Sequence, residues 1–281
     1  MRPFKFFKRK AQPGPEPTDT LGYVSRFYST RCDEDGRLDS RHGQVEFLTT
    51  MRYIERYLQP GMRVLEIGAA TGRYSLALAR MGYDVTAIEL VQHNIDVFHK
   101  KMKPGDRVDL QQGNALDLSR FEDNAFDMTL LFGPMYHLYT QEDQSRALEE
   151  ALRVTKPGGY LYVAYVICDM AILESGIGSK KWFWDYLEDG HIDPETYVCT
   201  SQPSDLFQLY RREDIDTLTS PLPARRRHYV AADGMAQLIK GALAEMTPER
   251  FETFMRYHYF ICERPDMTGA TNHSLDILQK E

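Results

Sequence analysis

A chain of 281 residues with 42% hydrophobic and 27% charged residues has the makeup of a soluble globular protein with ample material for a core. Its formal charge of -7 argues against a polyanionic partner such as nucleic acid, and no apolar run approaches the ~18 residues of a membrane span. Cys32, Cys168, Cys199 and Cys262 are scattered and form no C-x-x-C pair, so neither a zinc site nor a disulfide framework is indicated and a reducing, cytoplasmic setting fits.

Residues 1–20 join the basic, Phe-containing stretch Arg2 to Lys10 to the proline-rich run Ala11 to Pro17. Proline restricts the chain and removes donors, which predicts a disordered or extended tail rather than a secretory signal or a stable membrane insertion. Residues 21–60 read as an N-terminal lid and helix. A polar and aromatic lead-in containing Tyr28 and Arg41 runs into apolar positions Val45, Leu48, Met51, Ile54 and Leu58 at helical spacing, stopped by Gln59-Pro60-Gly61.

Residues 61–168 alternate strand and helix patterns, as parallel sheets do. Strands are predicted at 63–67, 84–89, 108–112, 126–132 and 159–166, with helices near 74–81, 91–103 and 141–154. The rhythm is lost over 169–223, read as a cap insertion with Trp182, Trp184 and Tyr186 as candidate pocket aromatics. Residues 224–281 supply the last strands with a helical insertion between them. There Arg225-Arg226-Arg227 reads as a charged strand entrance, a helical pattern runs from Met235 to Met246, and Thr247-Pro248 opens another helix.

The chain is organised around Val64-Leu-Glu66-Ile-Gly68-Ala-Ala70-Thr-Gly72-Arg73. An apolar strand ends at Gly68, and glycines and alanines then let the backbone turn against a bound molecule before a helix begins. The alternate spacing of Gly68, Ala70 and Gly72 is not the dinucleotide fingerprint, and no Lys-Ser/Thr follows as a P-loop requires. Glu89 ends the next strand, where a carboxylate can accept hydrogen bonds from both hydroxyls of a ribose. Glu66, inside an apolar strand, needs a partner such as a loop N–H or a ligand ammonium.

These residues resemble the first two motifs of the class I S-adenosylmethionine-dependent methyltransferases, with Ala70 in place of the usual middle glycine. Gln112-Gly113-Asn114-Ala115 is similar to the adenine-contacting loop, Phe126 to Phe132 to the fourth strand, and Arg153 to Gly159 to the turn before the fifth. The resemblance implies an α/β fold with a doubly wound, seven-stranded, mostly parallel sheet (Rossmann-like) carrying an N-terminal lid and helical and aromatic insertions. S-adenosyl-L-methionine is the implied cofactor, held by Glu66, Gly68, Ala70, Gly72, Glu89, Asn114, Ala115 and Phe132, with no metal required. Arg41 is a candidate partner for the donor's carboxylate, and Tyr28 a candidate neighbour of its methyl group.

After the fourth strand, Gly133-Pro134-Met135-Tyr136-His137-Leu138 resembles a signature of a bacterial small-molecule group and makes His137 the candidate general base. The favoured reading is methylation of O or N on a small-molecule acceptor by direct displacement. Its alternatives are a nucleic-acid or protein methyltransferase, which the absence of an Asn-Pro-Pro-Tyr type of motif disfavours, and a non-catalytic donor-binding module.

Overall fold

The computed structural model describes residues 20–30 and 34–281, so the expected tail through residue 19, and Cys32, lie outside the described residues. Seven strands form one sheet: β1 Arg63–Ile67, β2 Asp84–Glu89, β3 Val108–Gln112, β4 Phe126–Leu131, β5 Thr155–Val166, β6 Ala224–Ala231 and β7 His273–Lys280. Their order is β3-β2-β1-β4-β5-β7-β6, with β7 antiparallel between β5 and β6 and every other neighbouring pair parallel. This is the expected doubly wound, mostly parallel sheet. The strand order reverses between β1 and β4, which opens a crevice at their carboxyl ends, where such sheets bind ligands.

Apolar residues on both faces of the central strands build two layers of core. Leu65 and Ile67 pack with Leu148 and Leu152 of the helix Gln141–Val154 and with Ile215 and Leu218 of the helix Arg212–Thr219. Val64 and Tyr162 pack with Met51 and Ile54 of the helix Arg41–Tyr57 and Leu78 of the helix Arg73–Arg80. The first of these helices starts where Ser40 Oγ accepts from Gly43 N at 3.2 Å, satisfying a donor the helix itself cannot.

Three regions depart from the expected pattern. β5 begins at Thr155, ahead of the expected Gly159, and the Lys156 to Gly159 turn survives as a shift in its register against β4. Gly158 is left-handed there, and a Cβ on Gly159 would stand 2.7 Å from the Asp127 carbonyl. The helix expected from Met235 is regular only over Lys240–Ala244: Met235, Leu238 and Ile239 lie in turns with their side chains in solvent. Arg225 and Arg227 are exposed, but Arg226 points inward and grips the buried Asp276 of β7 with two bonds, 2.7 Å from Nε to Oδ1 and 2.6 Å from Nη2 to Oδ2. The period of a strand, not a cluster of charge, divides the arginine run.

The segment between β5 and β6 contains the short helix Cys168–Ala171, a π-type stretch Ile172–Ser179, the helix Phe183–Asp189 and the core helix Arg212–Thr219. Cys168, Ile172, Phe183 and Ile192 form a small apolar cluster of their own, with Trp182 and Tyr186 packed against it. These aromatics serve cap packing. Trp184 is 59% exposed, and Trp182, Trp184 and Tyr186 are all absent from the wall of the large cavity described next.

Candidate active site

A cavity of about 1010 Å³ opens at the carboxyl ends of β1, β2 and β4. Single-ligand clefts run to ~300–1,000 Å³, so this one stands at the top of that range.

One half is built from the loop after β1. Gly68 and Gly72 are left-handed, with φ of 84° and 85°, and Ala70 adopts the same hand at 46° despite its side chain. The two glycines are needed for different reasons. A Cβ on Gly68 would stand 2.2 Å from the Phe132 carbonyl oxygen, whereas one on Gly72 would strike the Phe98 ring at 2.4 Å. Gly68, Ala70 and Phe132 line the cavity; Gly72 does not, and sets the turn by packing on Phe98.

Glu89, at the end of β2, organises this loop as well as facing the cavity. Its carboxylate accepts from Ala70 N at 2.8 Å, Val91 N at 2.8 Å and Asn94 Nδ2 at 3.2 Å. Glu66 faces the same half from β1, fully buried, and takes a short hydrogen bond from Ser75 Oγ. Burial lifts its pKa from 4.5 to about 8 against that bond, with a further push from Glu89. Asn114 also lines the wall, but its Oδ1 is spent on Leu116 N at 3.0 Å, so it shapes the loop while Gly113, Ala115 and Leu116 complete the surface.

The other half holds His137 and Tyr28. His137 Nδ1 lies 2.8 Å from the Leu206 carbonyl, an acceptor only, so in the neutral ring Nδ1 carries the proton. Nε2 then accepts from the Tyr28 hydroxyl at 3.0 Å. The sequence brought these two residues forward separately, and the fold joins them across 109 positions.

Arg41 lies outside this wall: its guanidinium stacks 4.6 Å above the Phe251 ring, because it starts its helix on the side that faces the C-terminal insertion. Arg37 stands at the cavity instead and pairs with the buried Glu46 at 2.7 Å.

A second cluster in this half escaped the sequence altogether. His273, at the start of β7, points Nδ1 at Asp233 Oδ2, 2.9 Å away, with Glu46 Oε2 at 3.4 Å. Asp233 Oδ1 accepts in turn from Thr271 Oγ1 at 2.6 Å and His273 N at 2.9 Å. Burial presses the imidazole pKa down, but Glu46 and Asp233 outweigh it and hold it above its ordinary value. Arg37 and, when protonated, His273 thus offset the buried carboxylates of Glu46 and Asp233, of which Glu46 lines the cavity. Residues 46, 233 and 273 are too far apart in the chain to announce a cluster.

Residues 65–163 match the family model described as a methyltransferase domain. The chain is 36% identical over 112 residues to a demethylmenaquinone methyltransferase of Clavibacter sepedonicus, a match covering 40% of this chain and 42% of the relative. It is 27% identical over 214 residues to a ubiquinone biosynthesis O-methyltransferase of Xanthomonas campestris pv. campestris, covering 72% of this chain and 85% of that one. The fold matches a solved SAM-dependent methyltransferase of Thermotoga maritima at a TM-score of 0.57 and 20% identity, over 93% of this chain and 100% of the other. Residues 65–163 of the chain thus form a methyltransferase domain.

The chain spans less than half the length of the demethylmenaquinone methyltransferases it matches. The family's donor suits the residues present. A small-residue loop offers backbone at close range, a fully buried carboxyl on Glu66 has one side-chain donor from the protein, and a strand-end acid stands on the adjacent strand. Among the described residues no helix is long and apolar enough to cross a membrane.

Proposed function

We propose that the protein methylates an oxygen or nitrogen of a small molecule held in the His137 and His273 half of the cavity. The observation that supports this most is the division of one cavity into two chemically different halves. One carries the Gly68 to Ala70 backbone with Glu66 and Glu89; the other carries Tyr28, His137, Arg37 and His273 beneath the cap residues Ser201 to Pro203 and Phe207. The name borne by one relative, a ubiquinone biosynthesis O-methyltransferase, points the same way.

The donor, when bound, supplies an electrophilic methyl group on a sulfonium. Everything else falls to this chain: alignment, exclusion of water and custody of one proton. On this reading Glu66 holds the donor's ammonium, Glu89 its ribose, and the Gly68 and Phe132 region approaches its reacting end. The Leu206 carbonyl fixes His137 as the Nδ1–H tautomer, so Nε2 can take a proton from the acceptor directly or through the Tyr28 hydroxyl.

Incubation with methyl-labelled S-adenosylmethionine and fractionated cell extract tests the reading. Label should enter the low-mass fraction. Label in RNA or protein would move the acceptor to those classes, and donor binding without transfer to any fraction would leave a binding module.

A further inference from the structure

Two cysteines that the sequence left scattered meet in the cap. Cys168 follows β5 directly and is buried; Cys199 lies in the loop between the helices Phe183–Asp189 and Arg212–Thr219 and is part-exposed. Their sulfurs are 3.0 Å apart, about 1 Å longer than a disulfide bond, so closure needs only a small side-chain movement.

The surroundings make the pair chemically uneven. The Cys168 thiol donates to Cys199 sulfur; that hydrogen bond draws the Cys199 pKa below its ordinary value, helped by the charge of Arg211, and the same bond together with burial raises Cys168. Arg211 is fixed beside the loop by bonds from Nη1 to the Thr196 carbonyl at 3.1 Å and Nη2 to the Tyr197 carbonyl at 2.8 Å. A part-exposed thiol of lowered pKa in contact with a buried partner is the arrangement of an attacking and a resolving cysteine.

We propose that Cys168 and Cys199 form a redox site, a thiol pair that closes to a disulfide and staples the cap loop to the end of β5. With a small disulfide such as oxidised glutathione as the oxidant, the Cys199 thiolate attacks one glutathione sulfur and releases the other as glutathione thiolate. Cys168 then loses its proton and attacks the Cys199 sulfur of the mixed disulfide, releasing the second glutathione. Two protein thiols are oxidised and one glutathione disulfide is reduced to two thiols.

The loop so tied leads into the cavity wall. Ser201, Gln202 and Pro203 line the cavity, and the Leu206 carbonyl beyond them holds both His137 Nδ1 and the Tyr139 hydroxyl. Closure therefore restricts the segment that orients His137. The chemistry of the pair does not depend on which acceptor that half receives.

The test uses the full chain, reduced, freed of reductant and incubated with excess oxidised glutathione. Of its four thiols two should be lost, without a retained glutathione adduct, and peptide mapping should find a link between residues 168 and 199. Closure of the intervening loop should raise the thermal midpoint by about 5 °C, reversibly with reductant. Cys199→Ser should keep its thiols at Cys168 and show no such rise. Retention of all four thiols overturns the proposal, as does a stable glutathione adduct on Cys199, or a bridge through Cys32 or Cys262. Mapping of the unmutated chain decides the matter even if Cys168→Ala fails to fold.

Discussion

Glu66→Gln separates what a buried carboxyl costs the fold from what it does for the donor. In the free protein burial holds the Glu66 pKa at about 8, from 4.5 in an exposed chain. Unfolding releases that restraint, so between those two values the unfolded state is the one that loses its proton. The stability associated with the protonated group is complete below pH 4.5, declines through the window and is gone above pH 8, a loss on the order of 5 kcal/mol. Glutamine keeps the shape and can still meet the Ser75 hydroxyl, but it does not titrate. Urea midpoints of the two proteins should therefore diverge in favour of the variant as pH rises from 5 to 8.5. Donor binding should show the reverse. An ammonium bound to Glu66 requires the carboxylate, so at pH 7 complex formation by the unmutated protein should release close to one proton, measured by calorimetry in buffers of different ionisation enthalpy. The variant should release none and bind ~10–100-fold more weakly, the scale of one hydrogen bond to a charged group. A stability difference that stays flat with pH would refute the buried-acid argument, and equal proton release by both proteins would refute the ammonium assignment.

Glu89→Ala is a poor test of the ribose contact, because the carboxylate also holds Ala70 N, Val91 N and Asn94 Nδ2. Glu89→Gln, which turns one acceptor into a donor facing those groups, should cut donor affinity at least ~10-fold while the far-ultraviolet dichroism stays unchanged. Ala70→Gly relieves a left-handed residue with φ of 46° and should stabilise the free protein by about 0.5–1 kcal/mol in denaturant titrations; a loss of stability would show that the methyl packs usefully. Asp276→Asn removes the buried one of the two carboxylates paired with Arg226 and should cost about 3–5 kcal/mol, while a paired Asp276→Leu, Arg226→Met change should restore most of it. If the single change proves harmless, Asp216, 2.5 Å from Arg226, is carrying the ion pair alone.

How much of this could be read beforehand depends on the range of the interaction. β1, β2 and β3 fall on their expected residues because each is a short extended segment, apolar in β1 and alternating in β3, placed by the strand and helix rhythm and closed by a turn, and Glu66, Gly68, Ala70 and Glu89 gather because one strand, one loop and the next strand place them. Local spacing is enough for the half proposed to hold the donor. The half proposed for the acceptor is assembled from residues 28, 37, 46, 137 and 273, with Asp233 bonded to His273, brought together by the order β5-β7-β6 and by the lead-in segment. Nothing in a window of sequence distinguishes Arg37, which reaches the cavity, from Arg41, which packs on Phe251. The same holds for Cys168 and Cys199, whose meeting is decided by the fold of the insertion between them. Charge shows the point most clearly. Arg226 reads as one of three surface cations, but β-strand alternation turns it alone toward Asp276, so its role is fixed by a strand that begins some fifty residues later.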